Sequence, residues 1–166
     1  MPKLNLSGSN IILKEFVNLS EMEKAGAKKI NLEETPWEGL EDNYFDEVRA
    51  ECVLERFTNT VDIMEEIWRV CKNGAKVYIV VPWYLSSSAF AQPQNKKGFN
   101  FASFDYFTKE LARTDKNFRI INIKGKPHHN VFRFIPNFKL PWKLKSRLGL
   151  RDTIALVLGE VNQYLF

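Results

Sequence analysis

The hydrophobic pattern changes period twice between positions 45 and 82, FDEVRAECVLERFTNTVDIMEEIWRVCKNGAKVYIVVP. Val61, Met64, Ile67, Trp68 and Cys71 recur at three- and four-residue steps. That spacing predicts a helix over 60–71 with one apolar stripe. Asn59 or Thr60 can cap its start, and Asp62 suits the positive end of its dipole. Asn73-Gly74 is the expected stop, with glycine in the left-handed position after the helix. The β-rich run at 77–81 is apolar on both sides and ends at Pro82. Such a run fits a parallel strand covered on both faces. Residues 45–51 read as its partner, giving a right-handed β-α-β crossover.

The flanking pattern extends this unit into a sheet. Short strands are expected at 3–6, 16–19 and 29–32, with a turn of small residues at 7–10 and a short polar helix at 21–28. Residues 7–15 join the first two strands, which is less than the dozen or so a parallel crossover normally uses. Pro36-Trp37 opens an acidic loop. Residues 83–100 form a long loop rich in Ser, Gln, Asn and Gly, a length usually kept for function. Ser103 then caps a helix carrying Phe104, Phe107 and Leu111, and strands follow at 118–124 and 153–158. The expectation is an α/β three-layer sandwich around a mostly parallel sheet of seven strands or slightly fewer. It forms one domain over 1–166, with an irregular insertion at 127–149.

Composition narrows the function. A chain of 166 residues with mean hydropathy −0.30 can bury a full core, and no apolar run approaches the roughly 20 residues of a membrane span. The N-terminus lacks the shape of a secretion signal, so a cytoplasmic setting is expected. Cys52 and Cys71 read as buried free thiols of a reducing compartment. His128 and His129 point apart on an extended chain, so no metal site is expected there. Residues 1–70 carry 8 Lys/Arg against 15 Asp/Glu, whereas 71–166 carry 16 against 5. The insertion holds Arg133, Lys139, Lys143, Lys145 and Arg147 among Phe132, Phe134, Phe138 and Trp142, with no acid. It reads as a lid or docking surface for an anionic or apolar partner, a self-pairing (homodimer) interface, or a solvated basic face.

Ligands of parallel sheets bind outside the carboxyl ends of the strands, which gathers residues 7–10, Ser20, 31–33 and 50–53, under the Trp83 loop. Four pieces, INLEETPWEGLEDNYFDEV, RAECVLERF, EEIWRVCKNGAKVYIVVP and SSSAFAQPQNKKGFNFASFDYF, together resemble the small class I S-adenosylmethionine-dependent methyltransferases. The resemblance spans most of 3–107 and implies a seven-stranded sheet whose last strand is antiparallel. It implies S-adenosylmethionine as cofactor, held by Leu6, Ser7, Gly8, Ser9, Ser20, Asn31, Leu32, Ala50 and Glu51. Trp83, Tyr84 and Asn95 would face the acceptor or form a lid. Several positions depart from the family pattern. Ser7 and Ser9 replace glycines that let backbone approach the cofactor. Ser20, with Glu21 beside it, stands where the ribose-binding acid is usual, and Asn31 where an aspartate is usual. Cys52 and Arg56 replace the histidines flanking VLE, and Gln92-Pro93-Gln94-Asn95 replaces an Asp-Pro-Thr-His motif, removing a candidate base.

Two functions follow. One is methyl transfer to an unidentified small-molecule, lipid-linked or protein acceptor, in which alignment supplies much of the acceleration. The other is a non-catalytic binding or assembly module of the same fold that has lost cofactor binding. A dinucleotide oxidoreductase is excluded because no Gly-x-Gly-x-x-Gly follows the first strand. Trp37 and Trp83 read as core or lid aromatics, Asp46 and Glu47 as solvated charges, and Glu55 as a cap of backbone amides.

Overall fold

The structure, a computed structural model, describes residues 1–7, 11–84, 86–108, 118–126 and 153–159. Its strands are β1 (Lys3–Ser7), β2 (Val17–Ser20), β3 (Lys28–Lys29), β4 (Phe45–Glu51), β5 (Cys71–Pro82), β6 (Arg119–Lys126) and β7 (Thr153–Gly159). They form one sheet in the order β3-β2-β1-β4-β5-β7-β6. The first five pair in parallel, and β7 runs antiparallel between β5 and β6. The helices are α1 (Thr60–Val70) and α2 (Ser87–Phe90), with 3-10 turns at Leu54–Arg56 and Phe101–Phe107.

The expected crossover is present, but its boundaries move. Asn59 caps α1 by accepting from the Val61 and Asp62 amides. The helix ends at Val70, and the Cys71 N–H returns to the Ile67 and Trp68 carbonyls. Cys71 is therefore the first residue of β5, not a member of the helical stripe. Gly74 is left-handed as expected (φ +81°), but in a different role. Phe45 pairs with Cys71 and Glu47 with Lys76, so Lys72, Asn73, Gly74 and Ala75 bulge from the strand. The buried stripe of α1 is Ile63, Met64, Ile67 and Val70, while Val61 and Trp68 are only half-buried.

Three smaller expectations are corrected. No helix forms over 21–28; turns and bends carry the chain to a two-residue β3. Its expected extent, 29–32, fails because Asn31 bonds its own turn and Leu32 drops into the core. The expected Ser103 helix is a 3-10 segment that starts earlier, capped reciprocally by Asn100 and Ser103. Leu111, His128, His129 and the 127–149 insertion lie outside the described residues.

The short β1–β2 link works because a side chain takes the place of secondary structure. The Asn18 amide donates to the Leu13 and Phe16 carbonyls (3.1 and 2.9 Å), and its oxygen accepts from the Leu13 N–H (3.0 Å). Asn5 donates to Asn18 Oδ1 at 2.8 Å and to the Ile11 carbonyl at 2.9 Å. Both amides are buried, and their bonds offset the cost of desolvation.

Parallel register sorts the strand residues onto two faces. Leu4, Val48 and Val77 align, as do Leu19, Leu6, Ala50 and Ile79. These seven side chains are fully buried and, with α1, build the core, while Val17 beside Leu4 at the start of β2 is exposed. On the other face Lys3, Glu47 and Lys76 align, then Asn18, Asn5, Arg49 and Tyr78. Here Glu47 pairs with Lys3 (3.6 Å) and Arg49 (2.8 Å), and the Arg49 guanidinium lies 5.3 Å from the Phe16 and Tyr78 rings. A helix-covered strand on both sides was expected for β5, yet its second face, Lys76, Tyr78 and Val80, stays half-exposed or exposed. Among the described residues no helix is long and apolar enough to cross a membrane.

Candidate functional site

Parallel pairing brings the carboxyl ends of β1 to β5 to one edge. Leu6 is flanked there by Leu19 and Ala50, and Ser7 pairs in register with Glu51. Ser20 ends β2 and takes the Ile30 N–H on its carbonyl (2.9 Å). Five of the expected cofactor residues, Leu6, Ser7, Ser20, Ala50 and Glu51, thus share one edge. Gly8 and Ser9 lie outside the described residues. Asn31 is exposed just beyond β3 and binds Glu34 and the Glu33 N–H. Leu32 turns inward instead, and its carbonyl accepts the Trp37 indole N–H (3.1 Å).

The positions that depart from the family pattern have definite roles here. The Ser20 hydroxyl is buried and accepts from the Met22 N–H, so it closes its own turn. Glu21, the next residue, forms an ion pair with Arg56 at 3.4 Å. Glu21 follows β2 and Arg56 follows β4, the two neighbours of β1. Their ion pair therefore joins the turns that follow the two strands flanking β1. Cys52 has φ +51°, a strained conformation for a side chain of this kind, at the turn leaving β4. It is exposed rather than buried, which corrects the expectation for one of the two thiols. Partial desolvation, then the charges of Glu55 and Glu51, push its thiol up to about 11. It is a thiol at neutral pH, not a ready nucleophile.

Three strand-end loops are fastened together above this edge. Glu33 accepts from the Thr58 N–H (2.8 Å) and the Lys96 ammonium (3.1 Å), which hold its carboxyl below the usual range. Lys96 also donates to Thr58 Oγ1, and Lys97 donates to the Thr58 carbonyl and Thr60 Oγ1. Burial lowers the Lys97 ammonium's pKa, with Lys96 beside it adding to the shift. Residues 63 apart cannot be paired by local pattern, and a Lys-Lys step in a Gln/Asn-rich loop gives no warning of this clasp.

Trp83 is buried against Tyr84 and Phe101, with ring centroids 5.1 and 5.0 Å away. Its backbone carbonyl takes the Ser86 N–H, and Ser86 caps α2. Tyr84 is exposed, and Asn95 donates to the Ala89 carbonyl within the same loop. Glu55 was expected to cap backbone amides with its carboxylate. Its carboxyl takes the N–H of Glu55 itself, and the Lys96 and Lys97 N–H groups reach its carbonyl (2.8 and 3.3 Å). Its side chain is 3% exposed, and Oε2 has no hydrogen-bond partner. Burial pushes this carboxyl up to about 7.

Comparison with known proteins agrees with this geometry. Residues 12–79 match the family described as methyltransferase domain. A SAM-dependent methyltransferase from Archaeoglobus fulgidus superposes with a TM-score of 0.69 at 14% identity, covering 96% of this chain and 86% of that one. A structure of the Haloferax volcanii Trm112 methyltransferase activator with a methyltransferase matches at 0.63 and 11%, covering 98% and 83%. The cyclase SpnF matches at 0.63 and 10%, covering 98% and 75%. No curated protein matches the chain. The chain thus has the fold of the S-adenosylmethionine-dependent methyltransferases, and its residues 12–79 are similar in sequence to their methyltransferase domain.

Proposed function

We propose that the chain is an S-adenosylmethionine-dependent methyltransferase whose acceptor binds beneath the Trp83 loop. One observation carries the reading. The strand order reverses at β1, between β2 and β4, and this switch point holds Ser7, Ser20 and Glu51. In open α/β sheets that crevice is where nucleotide ligands sit.

The residues present fit the ligand by the chemistry of their donor set. Glu21 is a carboxylate within reach of β2's end, suited to ribose hydroxyls once Arg56 releases it. Asn31 offers an amide that can donate to and accept from a purine edge. Glu51, at the end of β4, would offer an acidic group to a sulfonium-bearing ligand bound at this edge. When bound, S-adenosylmethionine would supply an electrophilic methyl group. The chain's own task is then to orient an acceptor and exclude water. The clasp of Glu33, Thr58, Lys96 and Lys97 holds the loop that does this.

A second reading, a binding or assembly module, has its own observation. The Glu21–Arg56 ion pair ties together the turns after β2 and β4, and the Ser20 hydroxyl is spent on its own turn. The neighbour SpnF, a cyclase, also shows that this fold hosts chemistry other than methyl transfer. Calorimetric titration of the full chain with S-adenosylmethionine separates the two. One-to-one binding, weakened by Glu21→Ala, is the expected result. Heatless titrations of parent and variant would leave the module reading in place. A partner is part of either proposal: the basic 127–149 segment suits an anionic surface or a second copy of the chain. The Haloferax volcanii neighbour occurs with an activator.

A further inference from the structure

Two buried side-chain atoms on the turns that leave β4 and β5 have no hydrogen-bond partner: Glu55 Oε2 and Trp83 Nε1. One short segment connects them. The N–H groups of Lys96 and Lys97 bond the Glu55 carbonyl. Two residues on, Phe99 donates to the Pro82 carbonyl and accepts from the Tyr84 N–H, bracketing Trp83. Gly98 lies between, so tightly that a Cβ there would sit 2.5 Å from Tyr84 Cα. Both residues also leave the carboxyl ends of neighbouring strands, β4 and β5. One atom is a hydrogen-bond donor. The other belongs to a carboxyl, and a buried polar group left unpaired is costly.

We propose that Glu55 and Trp83 form the acceptor subsite, and that the methyl acceptor is a neutral alcohol or amine. An alcohol there donates its O–H to Glu55 Oε2 and accepts from the Trp83 N–H with one lone pair, keeping the other for the methyl carbon, whereas an amine, whose single lone pair must attack, only donates its N–H to Glu55 Oε2. An anionic carboxylate or phosphate at this point has no proton to donate and meets a second carboxyl. The loop that lost the family's histidine thus hands the base's role to the turn after β4. This inference rests on the methyl-transfer reading for its chemical step. The acceptor's lone pair forms the new bond to the methyl carbon. The carbon–sulfur bond breaks, its electron pair stays on sulfur, and the acceptor proton passes to ionised Glu55. Burial, which raises the Glu55 carboxyl to about 7, suits it to hold that proton near neutrality. The charged and titratable groups around it are Arg56, Cys52, Glu51 and, across the loop, Lys96 and Lys97, whose ammonium groups are committed to Glu33, Thr58 and Thr60.

Crystals of the full chain soaked in isopropanol test the subsite without any cofactor. The expected density places the alcohol oxygen in hydrogen-bond range of both Glu55 Oε2 and Trp83 Nε1, and Trp83→Phe or Glu55→Gln removes it. Alcohol bound only elsewhere, or Glu55 Oε2 bonded to a donor of the chain itself, overturns the proposal. Labelled methyl transfer to a panel of neutral sugars, alcohols and amines tests the step. There Glu55→Gln should lower the rate by about 10²-fold or more and erase a rise in rate through pH 7. An unchanged rate and pH profile in the variant overturns the base. If isopropanol seats as expected but S-adenosylmethionine does not bind, methyl transfer falls and the subsite stands.

Discussion

Leu4, Val48 and Val77 form one row across three neighbouring strands, and Asn5, Arg49 and Tyr78 form the next row on the opposite face. The first row is completely buried, whereas the second is polar, aromatic and partly wet. The same backbones carry both, so the contrast isolates the effect of side-chain environment. On the buried face register is enforced by packing, because a one-residue slip would turn every apolar side chain outward. On the other face it is enforced by specific pairs: the two asparagines, and Glu47 with its two cations. The first kind of stabilisation ignores salt and pH, and the second does not.

The largest effects should come from the buried face. Met64→Ala or Ile67→Ala removes a side chain with no exposed surface and should cost roughly 2–5 kcal/mol in urea melts. Where the two faces meet, at the carboxyl edge, pH becomes the probe. Burial raises the folded Glu55 carboxyl to about 7 from its ordinary 4.5, so the folded state holds the extra proton between those values. The Glu55 contribution to stability should therefore be fully present below about pH 4.5, decline as pH rises, and be lost above about 7. That contribution amounts to about 3 kcal/mol, and Glu55→Gln should flatten it, as read from melts across pH. On the polar face, Asn18→Ala strips partners from Asn5 and from the Leu13 N–H and should cost about 1–3 kcal/mol. Smallest is Arg49→Ala. Its guanidinium is half solvated, so a loss of under about 1 kcal/mol is expected, shrinking further in high salt. Equal losses for Asn18→Ala and Met64→Ala would erase the contrast.

The legibility of this fold in the sequence followed the same division. Apolar periodicity located the crossover, because burial of Ile67, Val77 and Ile79 is what that pattern records. It misplaced the end of α1 because Gly74 signals a left-handed residue without saying which element needs one. The strand at 29–32 failed for a similar reason: Asn31 prefers its own turn, and Leu32 follows it into the core. The site was legible as a place, since strand order fixes which ends meet, but not as a chemistry. Glu55 looked like a cap, and only its burial shows an unpaired oxygen. Glu21 with Arg56, and Glu33 with Lys96, are joined by distance in space and by no local rule.

The position of β7 also bears on how the chain is made. Among the described residues β6 pairs within the sheet with β7 alone, and β7 fills the gap between β5 and β6 across seven registered pairs with β5. During synthesis β6 leaves the ribosome first and has nothing to pair with. The free margin of β5 stays open until the last strand arrives, offering unpaired N–H and C=O groups to any other extended chain. Completion of the sheet is then a late, long-range event, slow by the same entropy that makes distant strand pairing slow elsewhere. Arrest of translation before Thr153 should accordingly leave a half-built sheet that chaperones hold, rather than a shorter native domain.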